Sequence, residues 1–244
     1  MKKIVLFLFV ILAGCSGNQQ KQADIIKSDT LISQHKVKKK ALSEYEKAFI
    51  DAGLVDIQKL DSNIKVELKY STKDNLFGFD AYGDLEKAYM QKDVAQKLFN
   101  AQKYLNEAMS GATLIVFDAA RPRRVQQIIW DSLKMPVKEK IKYASNPKHG
   151  GLHNFGAAVD VNIVDENGKE LDMGTPFDFM EELAWPESET KMLKAGKITQ
   201  QQINNRKLLR SVMTKAGFFN IQTEWWHFNS CTREEAMKKY KIIE

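Results

Sequence analysis

The chain has 244 residues, of which 43% are hydrophobic and 28% charged, enough for one domain with a substantial core. The net charge of +6 sits in the first 40 residues, which carry eight Lys and two Asp; residues 41–244 hold 29 basic and 29 acidic side chains, so the folded part has no bulk positive excess for nucleic acid. The two cysteines, Cys15 and Cys231, exclude a disulfide framework.

The chain opens with Lys2-Lys3 and an unbroken apolar run from Ile4 to Leu12. This reads as an export signal, too short to cross a membrane as a stable helix. Leu12-Ala13-Gly14-Cys15 resembles a bacterial lipobox, which implies cleavage before Cys15 and acylation of its sulfur. The alternative is an ordinary signal peptide with an incidental cysteine. On the first reading residues 1–15 are a lipoprotein signal and the protein is exported and lipid-anchored to the cell envelope, since several acyl chains anchor stably. Cys231 then has no disulfide partner and reads as a small structural residue. Residues 16–40 are polar and aperiodic, a flexible tether; Lys36 to Lys40 either touch an anionic membrane surface or are simply solvated.

Residues 41–52 predict a short helix with Leu42, Tyr45, Phe49 and Ile50 on one side and Gly53 as its stop. Residues 64–70 alternate as a strand, and 71–83 form a long loop rich in aromatics. Residues 85–109 predict the longest helix, with Val94, Leu98, Ala101, Leu105 and Ala108 as its core stripe. Residues 113–117 read as a short buried strand, leading to Pro122 at the start of a helix to about residue 134. Residues 157–163 alternate: Val159, Val161 and Ile163 face one way, Ala158, Asp160 and Asn162 the other. Asp165-Glu166-Asn167-Gly168 is a hairpin turn from which 169–171 pair back. A turn-rich loop at 172–178 precedes a short helix that stops before Pro186. Thr199 caps a helix to Ala216, 218–228 are aromatic and strand-like, and Thr232 caps a last short helix. The fold class is α+β, an antiparallel sheet with flanking helices.

The chemistry concentrates in two segments. His149-Gly150-Gly151-Leu152-His153-Asn154-Phe155-Gly156 runs into the strand bearing Asp160, and Glu224-Trp225-Trp226-His227 lies far downstream. Asp160 sits among apolar neighbours, where a carboxylate is costly unless a cation or donor meets it. A catalytic zinc needs three protein ligands and one open position for water, and His153, Asp160 and His227 supply that set. Glu224, three residues before His227, is the candidate general base and acid. On a flat strand Glu224 and His227 point to opposite faces, so the strand must be irregular there. His35 falls in the tether, and His149 reads as a loop residue or a neighbour of the site.

The pattern His153-x-x-Gly156-x-Ala158-x-Asp160 with Glu224-x-Trp226-His227 resembles the zinc D,D-peptidases, which share a fold with the hedgehog signalling domain. Asp118-Ala119-Ala120-Arg121-Pro122, the run Asp172 to Asp178, and Val66-x-Leu68-x-Tyr70-Ser71-Thr72-x-Asp74-Asn75-Leu76-x-Gly78 are similar to the D-alanyl-D-alanine dipeptidase (VanX-type) branch. The resemblance spans roughly residues 55–240 and implies that residues 41–244 are a dipeptidase domain with one zinc per chain. It implies zinc on His153, Asp160 and His227, Glu224 as base and acid, and Arg121 stabilising the oxyanion. Asp178 is implied to meet the substrate ammonium, its position equally suiting a helix N-cap; for Arg121 the alternative is a surface ion pair. Gly151 stands where the family usually has Ser, and Ala120 where it often has Tyr. The implied activity is hydrolysis of the D-Ala-D-Ala dipeptide in cell-wall metabolism. The alternatives are a zinc D,D-carboxypeptidase or other muropeptide-trimming peptidase, and a non-catalytic binding module. A small dipeptide is the expected partner, with no protein partner and membrane contact only through lipid.

Overall fold

The computed structural model describes residues 41–244 except Lys142. The signal, the tether and Cys15 lie outside the described residues. Among those described, no helix is long and apolar enough to cross a membrane.

Helix α1 (Glu44–Asp51) starts at Ser43, whose hydroxyl accepts from the Glu46 amide while Glu46 accepts from the Ser43 amide. Phe49 is its buried anchor, whereas Leu42 and Ile50, expected on the same inner face, are exposed. Strand β1 (Val55–Asp56) pairs antiparallel with β3 (Tyr89–Met90), and β2 (Lys65–Val66) lies between them along the chain. The expected helix from 85 therefore begins later, as α2 (Lys92–Ala108). Residues 89–91 are held extended instead: the Gln91 and Ala120 amides donate to the Gly156 and Tyr89 carbonyls. Within α2 the expected stripe is buried at Val94, Leu98, Ala101 and Leu105, whereas Ala108, in the last turn, is exposed. The strand expected over 64–70 shortens to β2, followed by a 3-10 turn at Lys69–Ser71 that turns Tyr70 inward.

Then follow β4 (Thr113–Asp118), α3 (Arg123–Ser132) started by Pro122, α4 (Val137–Lys140), β5 (Ala158–Val164), α5 (Glu189–Lys194), α6 (Gln200–Lys215), β6 (Phe219–Asn220), β7 (His227–Asn229) and α7 (Arg233–Lys239). The main sheet has the order β2-β4-β5-β7-β6. Its pairs are antiparallel except β2 with β4, which run parallel. The two central strands are buried on both faces. Val159, Val161 and Ile163 join the main core with Leu98, Leu105, Leu209 and Phe228. Residues 169–171 return along β5 as expected, with Leu171 donating to the Ile163 carbonyl.

The register positions the chemistry. Asp118 lies opposite Asp160 across the β4–β5 pair, after a bulge between Val116 and Asp118, and Asp160 lies opposite His227 across the β5–β7 pair. Directly opposed residues project to the same face, so three neighbouring strands present an acid, an acid and an imidazole in a row.

Candidate active site

Gly156 ends the 3-10 turn Leu152–Phe155 in the left-handed region, φ +65°, and releases the chain into β5. This turn delivers His153. Its main chain is stitched to the segment after β4: the Arg121 amide donates to the His153 carbonyl at 2.9 Å, and Asn154 Nδ2 to the Arg121 carbonyl at 2.8 Å. His153 is buried, and its Nδ1 lies 2.7 Å from the Ala119 carbonyl. A carbonyl can only accept, so Nδ1 carries the proton and Nε2 presents a lone pair inward.

His227 reaches the same point from β7. Its Nε2 donates to Asn229 Oδ1 at 2.9 Å, which leaves the lone pair on Nδ1. That Nδ1 is 2.9 Å from Asp160 Oδ1 and 3.1 Å from His153 Nε2, and the latter is 3.3 Å from Asp160 Oδ1. The ligand atoms of His153, Asp160 and His227 all lie within 4.8 Å of one another. Three electron pairs converge there, with both outer imidazole nitrogens engaged as donors. Such an arrangement calls for a cation, and the outer bonds are those that orient metal-binding imidazoles. The donor set of two nitrogens and one carboxylate oxygen fits zinc.

Glu224 stands on the irregular segment between β6 and β7, as the side-chain geometry required. The strand expected over 218–228 is in fact two short strands. Asn220 Nδ2 donates to the carbonyls of both Glu224 and His227 at 2.8 Å, folding the connection so that both side chains reach one cavity. Trp225 and Trp226 are buried beneath it, and Trp225 Nε1 donates to Thr175 Oγ1 at 2.8 Å. Glu224 Oε2 is 3.9 Å from His227 Nδ1.

Arg121 is buried, contrary to a surface ion pair. Its Nε donates to Asp118 Oδ2 at 2.9 Å, Nη2 donates to the same oxygen, and Nη1 donates to Gln126 Oε1 at 2.9 Å. The Tyr70 ring lies 4.9 Å below the guanidinium, and Nη2 is 3.9 Å from Asp160 Oδ2. Asp118 Oδ1 takes a further bond from Tyr82 at 2.6 Å. Asp178 is not a helix N-cap. It is buried, accepts from Tyr70 at 3.0 Å, and adopts φ +59°, a conformation rare for a non-glycine residue. Phe177, packed against Tyr70, Phe117 and Trp226 at 5.4–5.8 Å between ring centroids, holds the loop in that shape.

His153, Asp160, His227, Glu224, Arg121 and Asp178 all line one cavity of about 340 Å³. His149 does not; it is exposed, and its carbonyl accepts from Arg233. Burial works against the Asp160 charge, yet His153 and His227 hold its carboxyl well below the usual range. Burial also disfavours charge on His153, but Asp160 outweighs it and lifts the imidazole pKa. Burial pushes Glu224 up to about 7, opposed by His227. Burial and the Asp160 charge push Asp178 up to about 7. Arg121 stays charged, since Asp118 offsets the burial that would lower it.

Sequence reasoning assigned no role to Asp118, Gln126, Tyr70 or Asn229. The spacings Asp118-x-x-Arg121 and His227-x-Asn229 were the available signals, but neither says that the partner faces inward.

A buried two-histidine, one-carboxylate cluster, flanked by a carboxyl near neutrality and a fixed guanidinium, defines a metal-dependent hydrolase. Residues 50–241 match the family model Peptidase_M15, described as D-ala-D-ala dipeptidase, and the chain belongs to that family of metallopeptidases. The chain is similar to the D-alanyl-D-alanine dipeptidase of Escherichia coli (strain K12), 33% identical over 175 residues that cover 72% of this chain and 83% of the relative. It is also similar to that of Enterococcus faecium, 25% identical over 195 residues, covering 73% of this chain and 92% of the relative. A solved vancomycin resistance D,D-dipeptidase, VanXYg in complex with a D-Ala-D-Ala phosphinate analogue, aligns at TM-score 0.35 and 19% identity, covering 65% of this chain and 62% of that one.

Proposed function

We propose that the protein hydrolyses the dipeptide D-Ala-D-Ala to free D-alanine in cell-wall metabolism, with one zinc held by His153, Asp160 and His227. The observation that carries this reading is the convergence of three lone pairs beside Glu224 in a cavity that also holds Arg121 and Asp178. Family membership and the names of the relatives support the substrate. When bound, zinc supplies a Lewis acid for the scissile carbonyl and lowers the pKa of water at the site to about 7.

The chain's own residues do the rest. Glu224 has its pKa raised by burial to about 7, against the pull of His227. It takes a proton from the attacking water as a base and returns it to the leaving amine as an acid. Arg121, immobilised by Asp118 and Gln126, presents its guanidinium where negative charge grows on the carbonyl oxygen. Asp178, buried with Tyr70, receives the substrate ammonium as the carboxylate, its proton having gone to solvent. An acylated amine in that place would leave the buried Asp178 carboxylate without a counter-charge, which selects a free dipeptide over a longer chain.

The test is a panel of D-Ala-D-Ala and its N-acetylated counterpart, with and without a chelator, on the wild type and on Glu224→Gln. The reading expects chelator-sensitive release of D-alanine from the free dipeptide, no turnover by Glu224→Gln, and an unchanged zinc content in that variant. Equal cleavage of the acetylated peptide would replace it with a D,D-carboxypeptidase.

The site of action is the cell envelope outside the cytoplasm, the protein held there by acylation of Cys15 after export. Support comes from the sequence around Cys15. Cys15→Ser should move the protein from the detergent phase to the aqueous phase; continued detergent partitioning refutes the anchor.

A further inference from the structure

Gly151 is in extended backbone, φ −102° and ψ 179°, which any residue adopts. The main chain therefore does not demand glycine there. Ser145 does: a Cβ on residue 151 would lie 2.8 Å from Ser145 Cβ and closer still to its Oγ. The two positions compete for one volume, so a side chain at 151 requires Ser145 to shift. Ser145 and Gly151 both line the cavity, together with Arg233.

This wall is tied to the machinery already described. The Ser145 carbonyl accepts from Gln126 Nε2 at 3.0 Å, and Gln126 Oε1 accepts from Arg121. Arg233 is fixed beside the same turn, Nη2 donating to the His149 carbonyl at 2.7 Å and Nε to that of Gly150 at 3.3 Å. The Gly151 amide is committed to Asn154 Oδ1 at 2.7 Å, so the wall's main chain does not replace a side-chain donor there. The lining carboxyls Asp160, Asp178 and Glu224 come from other segments: β5, the loop after residue 172, and the β6–β7 connection. A dipeptide with two free ends needs a counter-charge for each. Asp178 serves the ammonium, and the Arg121 N–H groups not bonded to Asp118 or Gln126 serve the scissile carbonyl oxygen. The remaining guanidinium lining the cavity among the described residues is Arg233, with the Ser145 hydroxyl on the same wall.

We propose that Ser145 and Arg233 form the subsite for the terminal carboxylate of the substrate, the Ser145 hydroxyl donating to it and Arg233 supplying the opposite charge. This rests on the dipeptidase reading, so the test separates the two. Kinetics on D-Ala-D-Ala and on its C-terminal amide are compared for wild type, Ser145→Ala, Arg233→Gln, Ser145→Gly and the exchange S145G/G151S. Ser145→Ala should raise KM for the dipeptide about tenfold or more, the worth of one hydrogen bond to a charged group, with little change in kcat. The same substitution should barely alter KM for the amide. The exchange variant, which returns a hydroxyl to the shared volume from the other side, should recover affinity lost in Ser145→Gly. Equal effects on acid and amide, or an exchange variant no better than Ser145→Gly, overturn the subsite. A wild type that cleaves neither compound refutes the dipeptidase reading instead. The subsite is then read by thermal-shift titration of the zinc-loaded protein: it expects a shift with D-alanine that D-alaninamide lacks and that Ser145→Ala and Arg233→Gln lose, and equal shifts overturn it.

Discussion

Asp118→Asn tests whether the Arg121 guanidinium is positioned for its proposed role by a residue that never touches substrate. Asp118 is fully buried. It accepts from Arg121 Nε and Nη2 on one oxygen and from Tyr82 on the other, and His153 Nδ1 is 3.6 Å away. Removing one partner of a buried ion pair costs about 3–5 kcal/mol, because the other charge remains desolvated. The asparagine oxygen still accepts one bond from Arg121, which places the expected loss near the lower bound, about 3 kcal/mol. For a domain of this size that is a fall in Tm of roughly 6–12 °C. The rate should fall further than stability implies, since a guanidinium displaced by about 1 Å costs on the order of 10²-fold. Tyr82→Phe is the control. It removes only the bond to the other oxygen and should lower Tm by a smaller amount with kcat nearly intact. Thermal unfolding and steady-state kinetics on the two variants decide the matter. Asp118→Asn with wild-type kcat refutes the positioning role even if Tm drops; wild-type Tm refutes the energetics of the pair.

Asn229→Ala removes the acceptor that fixes the His227 tautomer, and should weaken zinc binding about 10- to 100-fold in a competitive chelator titration, as loss of such a partner does elsewhere. Asp178 attracts the substrate ammonium only when ionised and titrates at about 7 in the free protein. Binding of D-Ala-D-Ala to the Glu224→Ala variant should therefore tighten as pH rises from about 6 to 7.5, below the range where the substrate amine loses its own proton. Asp178→Asn should flatten that dependence, and a pH-independent affinity in the parent would remove Asp178 from the subsite. Gly156→Ala forces a left-handed residue and puts a Cβ 3.0 Å from Leu54 Cδ2. It should destabilise by about 1–3 kcal/mol, read as a lower urea midpoint with an unchanged m-value.

Much of this arrangement was legible because it follows from local pattern. The β5 alternation put Asp160 opposite in sense to Val159 and Val161. The conflict between Glu224 and His227 on a flat strand required the broken β6–β7 connection that the structure has. The capped helices α6 and α7 begin at Thr199 and Thr232, as their capping boxes indicate. What was misread depended on pairing with distant chain. Residues 85–91 carry apolar residues compatible with a helix, but Tyr89 and Met90 bond to β1, and Gln91 to Gly156. Residues 67–70 alternate like a strand, but pairing with β4 ends at Val66, and the chain then turns at Lys69–Ser71 with Tyr70 inward. A periodic pattern records which side chains prefer burial; it does not record which neighbour arrives to bury them.

The same distinction explains why the candidate metal cluster was easier to read than its supports. His153, Asp160 and His227 belong to residue types whose joint burial is costly without an ion, so their chemistry restricts the possibilities before any fold is known. Asp118, Gln126 and Asn229 are ordinary polar residues with many possible partners. Gln126 is brought in by α3, and the others take their places from strand register: the bulge before Asp118 sets it opposite Asp160, and the β5–β7 pairing sets His227 opposite Asp160 and Asn229 opposite Ala158. Shift that register by one residue and the three side chains would face opposite sides of the sheet, while every motif in the sequence stayed intact. The reactive groups are thus specified by composition, and their convergence by hydrogen bonds between strands that lie far apart along the chain.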